Sequence, residues 1–204
     1  MKYDPLRHHR RSLRLKGYDY SQAGLYFITI CCKNMTCRFG DIKNNEMVLN
    51  KNGQIAYDKW VALPERFENV ELDVFQIMPN HMHGIIILND VRAGLAPVQN
   101  TNSANIPGRI TQNTDTSDNP GDLSGAGRAG ASPTPTIGDI VGAYKSLVAN
   151  GCLDIYKKRN EIMGKLWQRD YYEHIIRNEN AYHNISNYII NNPRNWNGDK
   201  FHRP

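Results

Sequence analysis

Residues Phe75–Leu88 read Phe-Gln-Ile-Met-Pro-Asn-His-Met-His-Gly-Ile-Ile-Ile-Leu. Met78-Pro79-Asn80 is turn chemistry, and the run behind it ends in Gly84-Ile85-Ile86-Ile87-Leu88, β-branched enough to form a strand. Side chains alternate along a strand, so His81 and His83 point to the same face, roughly 7 Å apart along the chain. Two imidazoles at that distance either hold one divalent cation between them or are simply two exposed histidines at the start of a strand.

Working outward from this strand, Val70–Met78 alternates apolar and polar residues at first, as a half-buried strand does. The short Pro79-Asn80 link makes it the antiparallel neighbour of His81–Leu88. Leu25–Cys32 is almost continuously apolar, which predicts a central strand. Phe39–Asp41 and Met47–Leu49, separated by Asn44-Asn45, predict a short hairpin. Ile55, Trp60 and Leu63 mark one side of a helix from about Gly53 to Leu63, stopped by Pro64. Ile140, Tyr144, Leu147 and Val148 fall at helical spacing from Ile137 through Asn150, with Gly151 as the expected terminator. Trp167–Ile176 reads as an aromatic-rich extended segment. Asn178 is placed to cap a last helix with Glu179 in its first turn, ended at Asn192 by Pro193.

The 204 residues suffice for a single domain, 1–204, with a real core. Residues 1–24 read as a basic arm, in which Arg7, Arg10, Arg11, Arg14 and Lys16 crowd together. Val91–Thr136 has no aromatic residue and no lysine, and 26 of its 46 residues are Gly, Pro, Ser, Thr or Asn, so it reads as a flexible insertion unable to offset its ordering entropy. The net charge of +5 is mild but unevenly spread, and basic clusters of this kind suit a polyanionic partner. Four cysteines without Cys-x-x-Cys spacing exclude a zinc ribbon. No segment has the length or composition of a signal peptide or a membrane span, which together predict a reduced, cytoplasmic, nucleoid-associated protein with no membrane partner.

On the last helix Ile185, Tyr188, Ile189 and Asn192 share one face at i, i+3, i+4 and i+7. Such a tyrosine is commonly core. It can also attack a phosphodiester when a cation polarises the phosphate, because a free phenol with a pKa near ~10 is a weak nucleophile unaided. An asparagine amide oxygen is a hard donor suited to Mg²⁺ or Mn²⁺ beside two imidazoles. Imidazoles bind a cation only when neutral, which sets an expected acid limit at a pH of about 6.5.

These parts, in this order, resemble the single-tyrosine HUH transposases, in particular the REP-associated tyrosine transposases. The likeness runs through Tyr26-Phe27-Ile28-Thr29, Met78-Pro79-Asn80-His81-Met82-His83, Gly142-Ala143-Tyr144-Lys145-Ser146, Leu166–Arg177 and Tyr188-Ile189-Ile190-Asn191-Asn192-Pro193. It implies an α+β, ferredoxin-like fold of HUH-endonuclease type, an antiparallel sheet with helices packed on one face. It implies His81, His83 and Asn192 as ligands of Mg²⁺ or Mn²⁺ and Tyr188 as nucleophile. The implied activity is cleavage and strand transfer of single-stranded DNA near a hairpin formed by a palindromic repeat, through a 5′-phosphotyrosine link, by a monomer or homodimer. Related transposases often carry glutamine where this chain has Asn192. Tyr171 and Tyr172 are candidates for stacking on unpaired bases, and Arg10, Arg11, Lys145, Ser146, Arg169 and Arg177 for phosphate contact, although each is also an ordinary surface or core residue. As neighbours on an extended segment, Glu173 and His174 face opposite ways, so at most one points into the site. The alternative is a protein that binds hairpin repeats without cutting; the complete set His81, His83 and Tyr188 favours the enzyme.

Overall fold

The computed structural model describes residues 18–90 and 134–202. Four strands form the main sheet: β1 (Gly24–Cys31), β4 (Val70–Ile77), β5 (His81–Leu88) and β6 (Tyr172–Ile176). Their order is β4-β5-β1-β6, and every neighbouring pair is antiparallel. β1 therefore runs parallel to β4 with β5 between them, and β5 runs parallel to β6 with β1 between them. Helices α1 (Lys51–Val61) and α3 (Ile137–Lys158) make the two crossovers. These interleaved β-α-β units are the ferredoxin-like α+β fold. A separate hairpin of β2 (Gly40–Lys43) and β3 (Glu46–Leu49) precedes α1, α2 (Leu63–Arg66) follows it, and α4 (Glu179–Asn191) closes the order.

The apolar run of β1 has its physical reason in this order, since the strand is flanked on both edges and covered on both faces. On one face Tyr26, Ile28, Ile30, Met82 and Ile86 pack with Ala56 and Trp60 of α1 and Ile140, Tyr144 and Val148 of α3. Trp60 and Tyr144 meet edge to face with centroids 5.1 Å apart, a geometry worth about 1 kcal/mol beyond the area buried. Tyr144 closes the layer by donating its hydroxyl to the Ala56 carbonyl at 3.1 Å. Helices on one face thus describes α1 and α3. Helix α4 lies against the opposite face, where Ile189 packs with Ile85 and Ile176 and against Phe27 and Val74.

Several elements depart from their predicted bounds. Helix α1 ends at Val61, and Pro64 stands in the first turn of α2, where its missing N–H has no intrahelical partner to lose. Gly151 does not terminate α3, which continues to Lys158 because Cys152, Leu153 and Tyr156 extend its apolar face. Its role is close approach: a Cβ there would stand 2.9 Å from Ile55 Cγ2 on α1. The extended segment expected over Trp167–Ile176 becomes a regular strand only from Tyr172, while Trp167 makes an isolated bridge to Cys32 and donates its indole N–H to the Lys145 carbonyl at 2.9 Å. Thr136, expected within the insertion, caps α3 in a reciprocal box with Asp139. Tyr20, expected in the arm, is buried in the core. Residues 1–17 and 91–133, which hold the rest of the arm and of the insertion, lie outside the described residues. Among the described residues no helix is long and apolar enough to cross a membrane.

Gly84 shows how tightly β5 is fitted to α1. A Cβ at this position would lie 2.5 Å from Trp60 Cζ2 and 3.2 Å from Phe75 Cβ. Overpacking a filled core costs about 1–3 kcal/mol. Gly84→Ala is therefore expected to lower the unfolding free energy by about 1–3 kcal/mol, read as a lower denaturant midpoint with an unchanged slope, and an unaltered midpoint would show that the Trp60 ring can yield.

Candidate metal and tyrosine site

His81 and His83 stand on the α4 face of β5, opposite the face that Met82, Gly84 and Ile86 give to the core. Register sets His83 beside Thr29 and His81 beside Cys31 on β1. Both imidazoles are buried. Their Nε2 atoms are 3.0 Å apart. Each Nδ1 has its own partner: Asn80 Oδ1 at 2.8 Å for His81 and Thr29 Oγ1 at 2.8 Å for His83.

Helix α4 delivers the tyrosine. Asn178 caps it by accepting from the Ala181 N–H at 2.8 Å, with Glu179 in the first turn near the positive end of the helix dipole. Ile189 anchors the helix to the sheet, and the predicted shared face puts Tyr188 over the histidines. The Tyr188 hydroxyl is 3.1 Å from His83 Nε2, and it donates to Asp199 Oδ2 at 3.3 Å. Asn192, one turn on, is buried and donates its Nδ2 to the same Asp199 oxygen at 2.6 Å. Its Oδ1 is buried without a hydrogen-bond partner.

Asp199 is the functional candidate that sequence reasoning missed. It lies in an irregular segment beyond Pro193, where no period marks it. The signal available was Trp196 and Phe201, two large aromatics in an otherwise polar tail, which implies that the tail folds back. It does so: the Phe201 ring stands 4.7 Å from that of His81 and 6.2 Å from that of Tyr172. Donor atoms of His81, His83 and Asp199 lie within 4.8 Å of one another.

These residues fit a divalent cation. Two ligands at right angles about a cation with bonds of about 2.1 Å stand about 3.0 Å apart, the spacing of the two Nε2 atoms. Asp199 supplies a carboxylate, and the orphaned Asn192 oxygen is a buried acceptor of the kind a cation satisfies. The charge balance points the same way. Burial pushes the Tyr188 phenol well above its ordinary range, and the Asp199 carboxylate raises it further. A nearby positive charge reverses the second effect.

The remaining candidates are spread around this centre. Tyr172, exposed on β6, Tyr171 and Arg169 line a cavity of about 330 Å³ with Lys33, Asn34, Gln168 and Asp170. An adjoining cavity of about 320 Å³ shares Tyr172 and Gln168 and reaches Cys31, Lys200 and Phe201 beside the histidines. Tyr171 is half-buried against the core. Lys145 donates to the carbonyls of Gln168 and Arg169 at 2.8 and 2.9 Å, tying α3 to the segment before β6. Ser146 and Arg177 are exposed, and Arg10 and Arg11 lie outside the described residues. Of Glu173 and His174, the register puts His174 on the site face, paired with Phe27.

Fold and site together define a ferredoxin-like α+β protein with a buried His-x-His pair beneath a helix-borne tyrosine. The chain belongs to one family with an uncharacterized protein of Haemophilus influenzae, to which it is 39% identical over 202 residues, 98% of this chain and 97% of the relative. No family model matches the chain. Among solved structures it is similar to a REP-associated tyrosine transposase bound to a REP hairpin, at 15% identity and a TM-score of 0.46 over 92% of this chain and 76% of that one. It is also similar to a candidate transposase of Deinococcus radiodurans, at 16% identity and a TM-score of 0.42 over 87% of this chain and 95% of that one.

Burial moves the acid limit expected from an ordinary imidazole. It pushes His81 down from 6.5 to about 4, with Asp199 opposing and Lys200 adding, and it holds His83 well below the usual range. Between those pH values the unfolded chain takes up protons that the folded chain refuses. The stability is full above pH ~6.5 and falls as pH drops toward ~4, by about 1.4 kcal/mol per unit for each such histidine. Thermal unfolding of the metal-free protein is expected to show a falling midpoint across this window, with His81→Phe reducing the slope. A midpoint that does not change between pH 7 and 4.5 would contradict the buried neutral pair.

Proposed function

We propose that this chain is a divalent-metal-dependent single-strand DNA endonuclease and strand transferase of the single-tyrosine HUH type, acting beside hairpins of palindromic repeats. The observation that carries the reading is the meeting of Tyr188 and His83 at 3.1 Å with His81 a further 3.0 Å away, from elements more than 100 residues apart in the chain. A tyrosine beside a pair of residues suited to hold a cation is the arrangement that phosphodiester attack needs.

His81 and His83, with Asp199 and the Asn192 oxygen, are the residues that would hold Mg²⁺ or Mn²⁺. When bound, the cation polarises the scissile phosphate and favours the phenolate. Tyr188 Oη attacks phosphorus, and its proton passes to Asp199 Oδ2, to which it is already hydrogen-bonded. The bond to the 3′ oxygen breaks and that oxygen takes up the proton held by Asp199, leaving a 5′-phosphotyrosine and a free 3′-OH. A later 3′-OH attacks that link, restores the phenol and rejoins DNA, so no nucleotide is consumed. Tyr172 and Phe201 offer faces on which unpaired bases stack, and Lys200, Lys33 and Arg169 offer charge for phosphates along the cavities beside the site.

Labelled single-stranded hairpin DNA incubated with the protein and Mn²⁺, then run on a denaturing gel, tests this. A protein-linked band is expected, lost in Tyr188→Phe while hairpin affinity stays within about twofold, because only the hydroxyl is removed. A covalent adduct persisting in Tyr188→Phe would displace the nucleophile. Asp199→Asn is expected to lower the rate by about 10²-fold or more, the usual scale of a lost proton acceptor.

A further inference from the structure

The two histidines are held differently, and the difference lies in their Nδ1 partners. Asn80 is fully buried, and its Nδ2 donates to two carbonyls, Met35 O at 3.0 Å and Phe201 O at 2.8 Å. Turning the amide over would set its oxygen against both carbonyls, so Oδ1 faces His81. An amide oxygen only accepts, so His81 Nδ1 carries the hydrogen and a neutral His81 has a bare Nε2.

That bare nitrogen is 3.0 Å from His83 Nε2. Two bare nitrogens at this distance repel, so without a cation the hydrogen between them belongs to His83. His83 Nδ1 is then bare and accepts from the Thr29 hydroxyl at 2.8 Å. The Tyr188 hydroxyl, 3.1 Å from the same Nε2, directs its own hydrogen to Asp199 and does not supply that proton. A cation needs both Nε2 atoms bare. His83 meets this by losing the proton at Nε2 and gaining one at Nδ1, with no net change in proton count. Thr29 Oγ1 can follow, because a hydroxyl rotates from donor to acceptor where a locked amide cannot.

We propose that Asn80 and Thr29 are positioning residues of opposite kinds: Asn80 holds His81 permanently in the ligating tautomer, while Thr29 permits His83 to change tautomer when a cation enters. This rests on the metal reading given above. Asn80 also joins the strand turn to the segment carrying Asp199, since its amide bonds Phe201 two residues later, so the third donor and the His81 tautomer are set by one side chain.

Long-range proton–nitrogen spectra of the full chain with ¹⁵N-labelled histidine test the assignment. In the metal-free protein His81 is expected as the Nδ1–H tautomer and His83 as the Nε2–H tautomer; saturating Mg²⁺ is expected to convert His83 to Nδ1–H and leave His81 unchanged. His81 found as Nε2–H, or His83 keeping its tautomer while Mg²⁺ shifts its signals, overturns the proposal. Calorimetric titration with Mn²⁺ supplies the second readout. Thr29→Val, which keeps the shape and removes the hydroxyl, is expected to weaken Mn²⁺ binding about 10–100-fold, with recovery in Thr29→Ser. Equal affinity in folded Thr29→Val would remove Thr29 from the mechanism. If Mg²⁺ perturbs no histidine signal and Mn²⁺ gives no binding heat, the metal reading and the switch fall together, while the metal-free spectrum still decides the part of Asn80.

Discussion

Two imidazole nitrogens held 3.0 Å apart inside a protein must share a hydrogen or a cation, and the rest of the structure has to impose that closeness. Desolvation opposes charge on either ring, so the pair is held neutral with one hydrogen between the two nitrogens. The pair persists because each ring is held from behind: His81 by an amide tied to two carbonyls, His83 by a threonine on the neighbouring strand. Above the rings, Phe201 and Tyr188 close the space with aromatic faces. Nearly every polar group around the histidines serves either to orient a ring or to complete a donor set.

Strand β5 carries two obligations at once. Met82, Gly84 and Ile86 build the layer beneath α1 and α3, while His81, His83 and Ile85 build the layer beneath α4. A shift of one residue in register would bury the histidines under Trp60 and expose the core residues to the tyrosine helix. Alternation makes such a slip costly on both faces, so core packing also fixes the geometry of the site. Gly84 marks the point of closest approach, where the indole of Trp60 occupies the place of a side chain.

The charge design around Tyr188 is asymmetric in a way that suits the proposed reaction. Tyr188 is partly exposed, but its phenol is desolvated on the side of the site and faces a carboxylate, conditions that keep it protonated. Asn192 steadies that carboxylate with its amide hydrogens and leaves its own oxygen without a partner. In the proposed function, ionisation of the phenol would depend on added positive charge, which would confine reactivity to the loaded site.

Much of this was legible in the chain. Alternation in Val70–Ile77, the unbroken apolar run of β1 and the helical spacing of Tyr144 and Ile189 follow from local periodicity, which needs no partner to be read. His81 and His83 share a face because strand geometry requires it, and Tyr188 and Asn192 because helix geometry does. Gly151 was misjudged because a glycine ends a helix or admits a neighbouring one with the same local chemistry, and Ile55, almost 100 residues away, decides which. Asp199 could not be seen, since an irregular tail has no period and its place depends on Asn80 bonding Phe201. The sequence by itself determined which side chains share a strand or helix face, because backbone repeat is a local property. Only the tertiary structure decided that Tyr188 and Asp199 stand over the histidines, because that meeting depends on α4 packing through Ile189 onto Ile85 and on the tail folding back to a buried amide.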